Sequence, residues 1–404
     1  MSSFLVACLL AIWLVPSGAL ASEERPGGFD DLASVAAFDE LMQTVNQLRN
    51  AILEDATNDR EAAEGMRFIL RTLAMSQDVT GDGYPAAPHF ARMDTARRKV
   101  GGDNPDGEYY TMAWEGGRDY KITGNIGTAD HFSFSVLAMQ PTGRSKSLGY
   151  ANERTLGADK NGDYTLWLTA KKPEEPGYWV KTGASAGFGS ILVREYFGDR
   201  ATERPATLAV EVMGRKPSEP LSPSSDPEIA RSIQMTRFAF QGIGLLHRYV
   251  SPSLDATPNQ FKRRNSNDFG ADISSPDNLY LIGTYAIGPD EALIVEVDPL
   301  DVRFWNFAIE NPWHESVDYA QRTTSLTHDA VSVDPDGKVR FLVTHRPTEH
   351  PNSLETAGHN RGFMTFRWVG ERDTLTPLPE VTRLPLADAL KKARTQSKGQ
   401  PAAQ

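Results

Sequence analysis

The stretch Leu279-Tyr280-Leu281-Ile282-Gly283-Thr284-Tyr285-Ala286-Ile287, with Ala292-Leu293-Ile294-Val295-Glu296-Val297 shortly after it, reads as two consecutive strands. Both runs are short and rich in β-branched and aromatic residues, and polar turn-forming residues separate them. The same texture continues through Phe304–Ile309, Ser325–Val333, Val339–Thr344 and Gly362–Val369, with Asp334-Pro335-Asp336-Gly337 as a turn between two of the runs. It also appears earlier, in Tyr109–Trp114, Asp119–Ile126, His131–Leu137, Tyr164–Thr169, Tyr178–Lys181, Ile191–Tyr196 and Thr207–Val212. Asn161-Gly162 marks a hairpin turn there, because the pair favours positive φ. Regular short strands with turns between them predict a mainly β protein with two jelly-roll or β-sandwich units.

Helical periodicity is confined to the flanks of these regions. From Asp30 to Met75 apolar residues recur at three- and four-residue intervals, from Leu32 and Val35 to Ile69 and Leu73, with a break near Asp55–Asp59, so two amphipathic helices are expected. Asp226–Tyr249 reads as one long helix capped by Ser225 or Asp226 and lying between the β units. Ser251–Ser275 is polar and reads as a loop, and Leu384–Ala393 as a last short helix before a tail too polar to pack. The expected organisation is a signal peptide over 1–21, a helical region over 22–100, a first β unit over 101–215 and a linker with the long helix over 216–277. A C-terminal β unit then spans 278–372, and a short helix and disordered tail span 373–404.

Phe4–Val15 is an uninterrupted apolar run followed by Pro16, Ser17 and Gly18 and by Ala19-Leu20-Ala21, a pattern that predicts a secretory signal cleaved after Ala21 and a periplasmic or secreted protein. The run is too short for a stable membrane span. The one cysteine, Cys8, lies inside it, which leaves the mature chain without disulfides, a thiolate nucleophile or Cys-ligated zinc. With 42 Lys and Arg against 53 Asp and Glu, the formal charge of −11 argues against nucleic acid as a partner, and the one basic cluster, Lys262-Arg263-Arg264, is short. No Gly-x-Ser-x-Gly elbow, phosphate-binding Gly-rich loop with Lys, or His-Glu-x-x-His occurs.

Several ordered motifs carry a resemblance to a family. They are Asn278–Tyr285, Val302-Arg303-Phe304-Trp305-Asn306-Phe307, Asn311-Pro312-Trp313, Glu315–Tyr319, His345-Arg346-Pro347 through Asn352, and Thr356-Ala357-Gly358-His359 to Phe366-Arg367-Trp368. Together they resemble the bacterial family catalogued as domain of unknown function 1214. Gly101–Asp106 and Leu192–Asp199 are similar to the companion region upstream in its longer members. The resemblance implies a mainly β, jelly-roll type fold and no settled activity. Asn352-Ser353-Leu354-Glu355 departs from the Asn-Trp-Leu-Asp expected there, keeping the carboxylate and losing the aromatic surface.

Residues 344–359 gather His345, His350 and His359 in one loop. With Glu349 or Glu355 they offer nitrogen and oxygen ligands to a divalent metal, although their spacing matches no zinc motif and no cofactor is expected. Without metal, Arg361 and Arg367 present forks to a carboxylate or phosphate, and His345 or His359 exchanges protons near neutral pH. Trp313 is the pocket candidate among the aromatics, whereas Trp305 reads as core. The expected role is binding of a small polar or amphipathic molecule in the C-terminal unit by Trp313, Tyr319, His345, Asn352, His359 and Arg367. A hydrolase or isomerase with His345 or His359 as base and Arg367 as anion stabiliser is the alternative, and a structural or assembly module is a third. Homo-oligomerisation stays open. Two weaker motifs complete the reading: Arg194 would pair with Asp199, and Asp78–Gly83 imitates a calcium loop whose twelfth position is His89 instead of Glu.

Overall fold

The computed structural model describes residues 28–99, 101–139, 145–216, 218–264, 275–299, 301–370 and 377–397. The signal segment and the end of the tail lie outside them. Helices α1 (Ala33–Asp55) and α2 (Asp59–Ser76) follow the expected periodicity, and the break between them is fixed by Asn58, whose side chain caps α2 by accepting from Glu61 N at 3.0 Å. Nine strands follow: β1 (Ala91–Arg92), β2 (Gly107–Glu115), β3 (Tyr120–Asn125), β4 (His131–Met139), β5 (Ser145–Asn152), β6 (Asp163–Thr169), β7 (Tyr178–Lys181), β8 (Phe188–Tyr196) and β9 (Ala209–Val212).

Helix α3 (Asp226–Val250) begins where Glu228 accepts hydrogen bonds from both the N–H and the hydroxyl of Ser225, and a short α4 (Ser253–Ala256) follows. Nine more strands follow among the described residues: β10 (Gln260–Arg264), β11 (Asn278–Ala286), β12 (Glu291–Val297), β13 (Phe304–Glu310), β14 (Ser325–Thr327), β15 (Val339–Thr344), β16 (Ser353–Glu355), β17 (Arg361–Val369) and β18 (Glu380–Pro385). Helix α5 (Leu386–Ser397) is last.

The fold is mainly β, and it is a duplication. The first unit pairs a sheet of order β1-β2-β8-β4-β5 with one of order β7-β6-β3-β9, and the second pairs β10-β11-β17-β13-β14 with β16-β15-β12-β18. Each strand of the second unit takes the place of its counterpart in the first, including the parallel pairs β6/β7 and β15/β16. In each unit the two sheets close on an apolar core. Trp114, Phe132, Phe134, Leu166 and Val193 are in the first, and Leu293, Phe307, Phe341, Phe366 and Trp368 in the second.

Five features differ from expectation. The polar sequence Ser145–Asn152 forms β5, because pairing with β4 satisfies its backbone even though its side chains lack strand character. The polar Ser251–Ser275 segment contains an edge strand, β10, that carries Lys262-Arg263-Arg264 and pairs with β11. Strand β16 covers only Ser353–Glu355, and β18 precedes α5, so the second unit extends beyond 278–372 at both ends. Asn161-Gly162 does form a turn, with Gly162 at φ 88°, but it leads the chain from one sheet to the other and closes no hairpin.

Candidate functional site

The site is a polar seam between the two units, lined by the outward faces of the β2-β8-β4 and β11-β17-β13 sheets. Because side chains alternate along a strand, Phe366 and Trp368 of β17 enter the core while Arg367 points out of it. Cross-strand register sets Arg367 beside Tyr280 and Asn306 and, in the first unit, Arg194 beside Tyr109 and Ser133. Both arginines are buried, so the same outward position carries a guanidinium in both copies.

Contacts across the seam are reciprocal. Asp106, just before β2, accepts from Asn306 Nδ2 at 2.8 Å and from the Ser325 hydroxyl, both in the second unit. Its counterpart Asp277, just before β11, accepts from Asn152 Nδ2 at 2.7 Å and the Tyr150 hydroxyl at 3.0 Å in the first. Asn104 accepts from Asn306 at 2.6 Å, and Ser275 donates to Tyr150 at 2.8 Å. The signal for this pairing is the repeated Pro-Asp-x-x-Tyr of Pro105–Tyr109 and Pro276–Tyr280, which sequence reasoning missed.

At the helical end the seam is fully packed. Arg367 Nη2 donates to the carbonyls of Gly102 at 2.9 Å and Asp103 at 3.1 Å, and to Glu310 Oε1 at 3.3 Å. Burial pushes the Glu310 carboxyl up, but His314 and Arg367 outweigh it and hold the group below its ordinary value. Lys99 Nζ donates to Ser316 Oγ at 2.7 Å and sits 3.6 Å above the Tyr319 ring, while Ser316 in turn bonds Asp103. Burial pulls Lys99 down and pushes Asp103 up.

Two corners of the seam reach solvent. At one, Arg303, the residue before β13, bonds Glu153 of the first unit and reaches Asp277 at 3.2 Å. His131 Nδ1 lies 3.1 Å from Glu153, and burial and then Arg303 push its pKa down to about 3, so its ring is neutral. At the other, Asp130, the residue before β4, meets His328 and Asp329 of the second unit, with one ligand atom of each within 4.8 Å of the others. Glu203 stands beside them, pushed up to about 7 by burial and by Asp130.

The expected site residues are dispersed. Trp313 is buried among Ile52, Phe68 and Phe240 of the helices and donates from its indole to Glu61 O at 2.9 Å, so it anchors α2. Glu64 of α2 lies 2.7 Å from His359 Nε2, and His345 Nε2 is on Ile287 O at 3.2 Å. Asn352 is enclosed between Ser332 O and Arg340 O. Arg367 and Tyr319 come together only through the Lys99–Asp103 segment. Arg361 is engaged by Glu61 and Asp255. His350 accepts from Asn352 N, Glu355 pairs with Arg322 and Glu349 with Arg394, so the histidine loop assembles no shared ligand set. Arg194 donates to Ser135 Oγ at 3.0 Å, whereas Asp199 stabilises its own turn through Ala201 N. Asp78 lies in the π-helical turn that ends α2 and pairs with Arg98.

The chain is similar to the crystal structure of an uncharacterized protein from Burkholderia cenocepacia. The two are 26% identical with a TM-score of 0.78, over 87% of this chain and 97% of that one. A Vibrio parahaemolyticus protein is 10% identical with a TM-score of 0.47, over 78% of this chain and all of that one. The first likeness supports the fold. No family model matches the sequence, and neither does any curated protein. Among the described residues, no helix is long and apolar enough to cross a membrane.

Proposed function

We propose that the protein is an exported binder of a small polar molecule, a member of the family catalogued as domain of unknown function 1214, and that the ligand docks at the Arg303 corner of the seam. The observation that carries this reading is a pair of polar atoms, His131 Nε2 and Arg303 Nε, both buried and without a hydrogen-bond partner in the protein. Buried polar atoms in that condition call for a partner. Around them Glu153 and Asp277 are each 18% exposed and Arg303 is 17% exposed, so the corner is partly desolvated yet open. With its Nδ1–H turned to the Glu153 carboxylate, the neutral imidazole offers a bare Nε2, so together with the guanidinium N–H it suits a ligand carrying both a hydrogen-bond donor and an acceptor. The interior of the second unit offers less, because Phe307, Phe366 and Trp368 stack through it. The hydrolase or isomerase alternative needs a histidine base beside Arg367, and His345 and His359 are both held elsewhere.

A thermal-shift screen of small polar compounds on the purified chain tests the reading. A ligand at 100 times its Kd adds about 2.7 kcal/mol of stability. Tyr150→Phe removes a hydroxyl shared by Asp277 and Ser275 at a cost of about 1 kcal/mol. The ligand-induced shift should shrink in this variant while the fold persists. A screen without hits, or hits indifferent to Tyr150→Phe and Arg303→Lys, sinks the proposal. Export is tested separately, by finding Ser22 at the amino terminus of protein recovered from outside the cytoplasm.

A further inference from the structure

We propose that Asp130, His328 and Asp329, with Glu203 beside them, bind one divalent transition-metal ion at the second corner of the seam. This goes beyond the small-molecule reading and does not depend on it. One imidazole nitrogen and two carboxylate oxygens lie within 4.8 Å of one another. An ion bonded at ~2.0 to 2.2 Å to each holds its ligands roughly 3 to 4.4 Å apart, so small side-chain adjustments close the set. Mixed imidazole and carboxylate ligands favour Zn2+ or Mn2+ over Ca2+ or Mg2+.

Three observations beyond the donor set point to a cation. Asp130 Oδ2 is buried and makes no close hydrogen bond, with His328 Nε2 3.5 Å from it and Glu203 and the Gly198 backbone alongside. At Gly198 an added Cβ would lie 2.3 Å from Asp130 Oδ2 and 2.5 Å from Asp329 Oδ2, so the two carboxylates converge on the same bare stretch of backbone. Gly198 is not in the left-handed region, so what it supplies there is space.

The third observation comes from the duplication. Register aligns His131 opposite Tyr196 and Phe304 opposite Val369, which makes Asp130 the counterpart of Arg303. Asn152 and Thr327 occupy matching positions, which makes His328 the counterpart of Glu153. At the first corner, therefore, a guanidinium neutralises a carboxylate across the seam. At the second an aspartate stands where the guanidinium would be, and no Lys or Arg ion-pairs with Asp130, Glu203 or Asp329 among the described residues. Carboxylates gathered without a cation repel one another, and a metal ion would supply the missing charge.

The test is titration of the chelator-treated full chain with Zn2+, Mn2+ and Ca2+, read by calorimetry, by melting temperature and, for Mn2+, by loss of the free-ion resonance signal. One Zn2+ or Mn2+ per chain is expected, with a raised melting temperature. His328→Ala should weaken binding about 100-fold or more. Asp130→Asn should weaken it similarly while raising the melting temperature of the metal-free chain, and Asp130→Arg, which copies the first corner, should abolish binding and stabilise further. A purely structural cluster would lose stability in both Asp130 variants. Absence of saturable binding, or equal affinity in wild type, Asp130→Asn and His328→Ala, overturns the proposal.

Discussion

The two β units have one strand order, yet their surroundings differ. In the second, α3 and α4 pack on the outer face of the β11-β17 sheet through Val250, Leu254, Ile282 and Phe363, and α5 covers the other sheet at Ala292, Ile294 and Leu342. Strand β15 is consequently buried along its whole length. In the first unit the β7-β6-β3-β9 sheet keeps a solvent face, and β3 alternates between buried and half-buried positions. Equal topologies therefore carry different sequence patterns, nearly continuous apolar runs where both faces are covered and alternation where one is not. The seam shows the same divergence in its charges, with Arg303 at one corner and Asp130 at its counterpart.

The sharpest way to break this comparison is to substitute those two counterparts. Arg303→Ala leaves Glu153 and Asp277 facing each other at 18% exposure apiece, and removing one partner of such a buried group costs about 3 to 5 kcal/mol. Solvent access at the corner brings the expected loss to about 2 to 4 kcal/mol. Asp130→Asn in the metal-free chain should move the other way. Urea unfolding of both variants reads the signs directly, and two losses of similar size would mean that the corners are not electrostatic opposites.

Next comes pH. In the first unit Glu195 is buried and pushed up to about 7 by desolvation, and Asp94 likewise to about 7 by burial and Asp103. A carboxyl with a raised folded-state pKa contributes stability fully present below its unfolded value near 4.5, and that contribution is lost as pH rises through about 7. In the second unit Asp336 is held at about 2 by hydrogen bonds from Arg340, so its contribution is present at neutral pH and lost only on strong acidification. The wild type should therefore lose about 2 kcal/mol between pH 5 and pH 8 through Glu195. Glu195→Gln, which can still accept from Ala206 N, should flatten the profile. Parallel profiles for the two proteins would show that Glu195 does not titrate in this window.

Much of the architecture was legible because periodicity reports burial. The break near Asp55–Asp59, the cap of α3 and most long strands follow from local pattern alone. Strands β5 and β16 escaped because their sequences carry little strand signal and form only by pairing with a neighbour. The site was less legible. A cluster of histidines in sequence says nothing of what lies opposite, and His359 finds its partner on α2, far earlier in the chain. The Pro-Asp-x-x-Tyr repeat was visible, but its meaning depends on two sheets facing each other. Trp313 resembles a pocket wall in sequence and is an anchor in space for the same reason, its large apolar surface with one donor.

The smallest expected effect concerns the centre of the seam. Tyr109 and Tyr280 are counterparts, each beside a buried arginine, but their hydroxyls are used unequally. Tyr280 accepts from Asn278 Nδ2 at 2.9 Å, and that same amide donates to Tyr196 at 2.9 Å, whereas Tyr109 donates to Tyr196 over a longer 3.3 Å. Either Tyr→Phe change keeps the ring and removes at least one hydrogen bond, each worth about 0.5 to 1.5 kcal/mol net. Tyr280→Phe should lie at the upper end because it withdraws an acceptor from a buried amide, and Tyr109→Phe at the lower end because its bond is already long. If the double variant loses more than the sum of the single ones, the two halves of the seam act as one network centred on Tyr196. If the losses simply add, each half holds its own tyrosine, and the duplication has left two independent polar layers in contact.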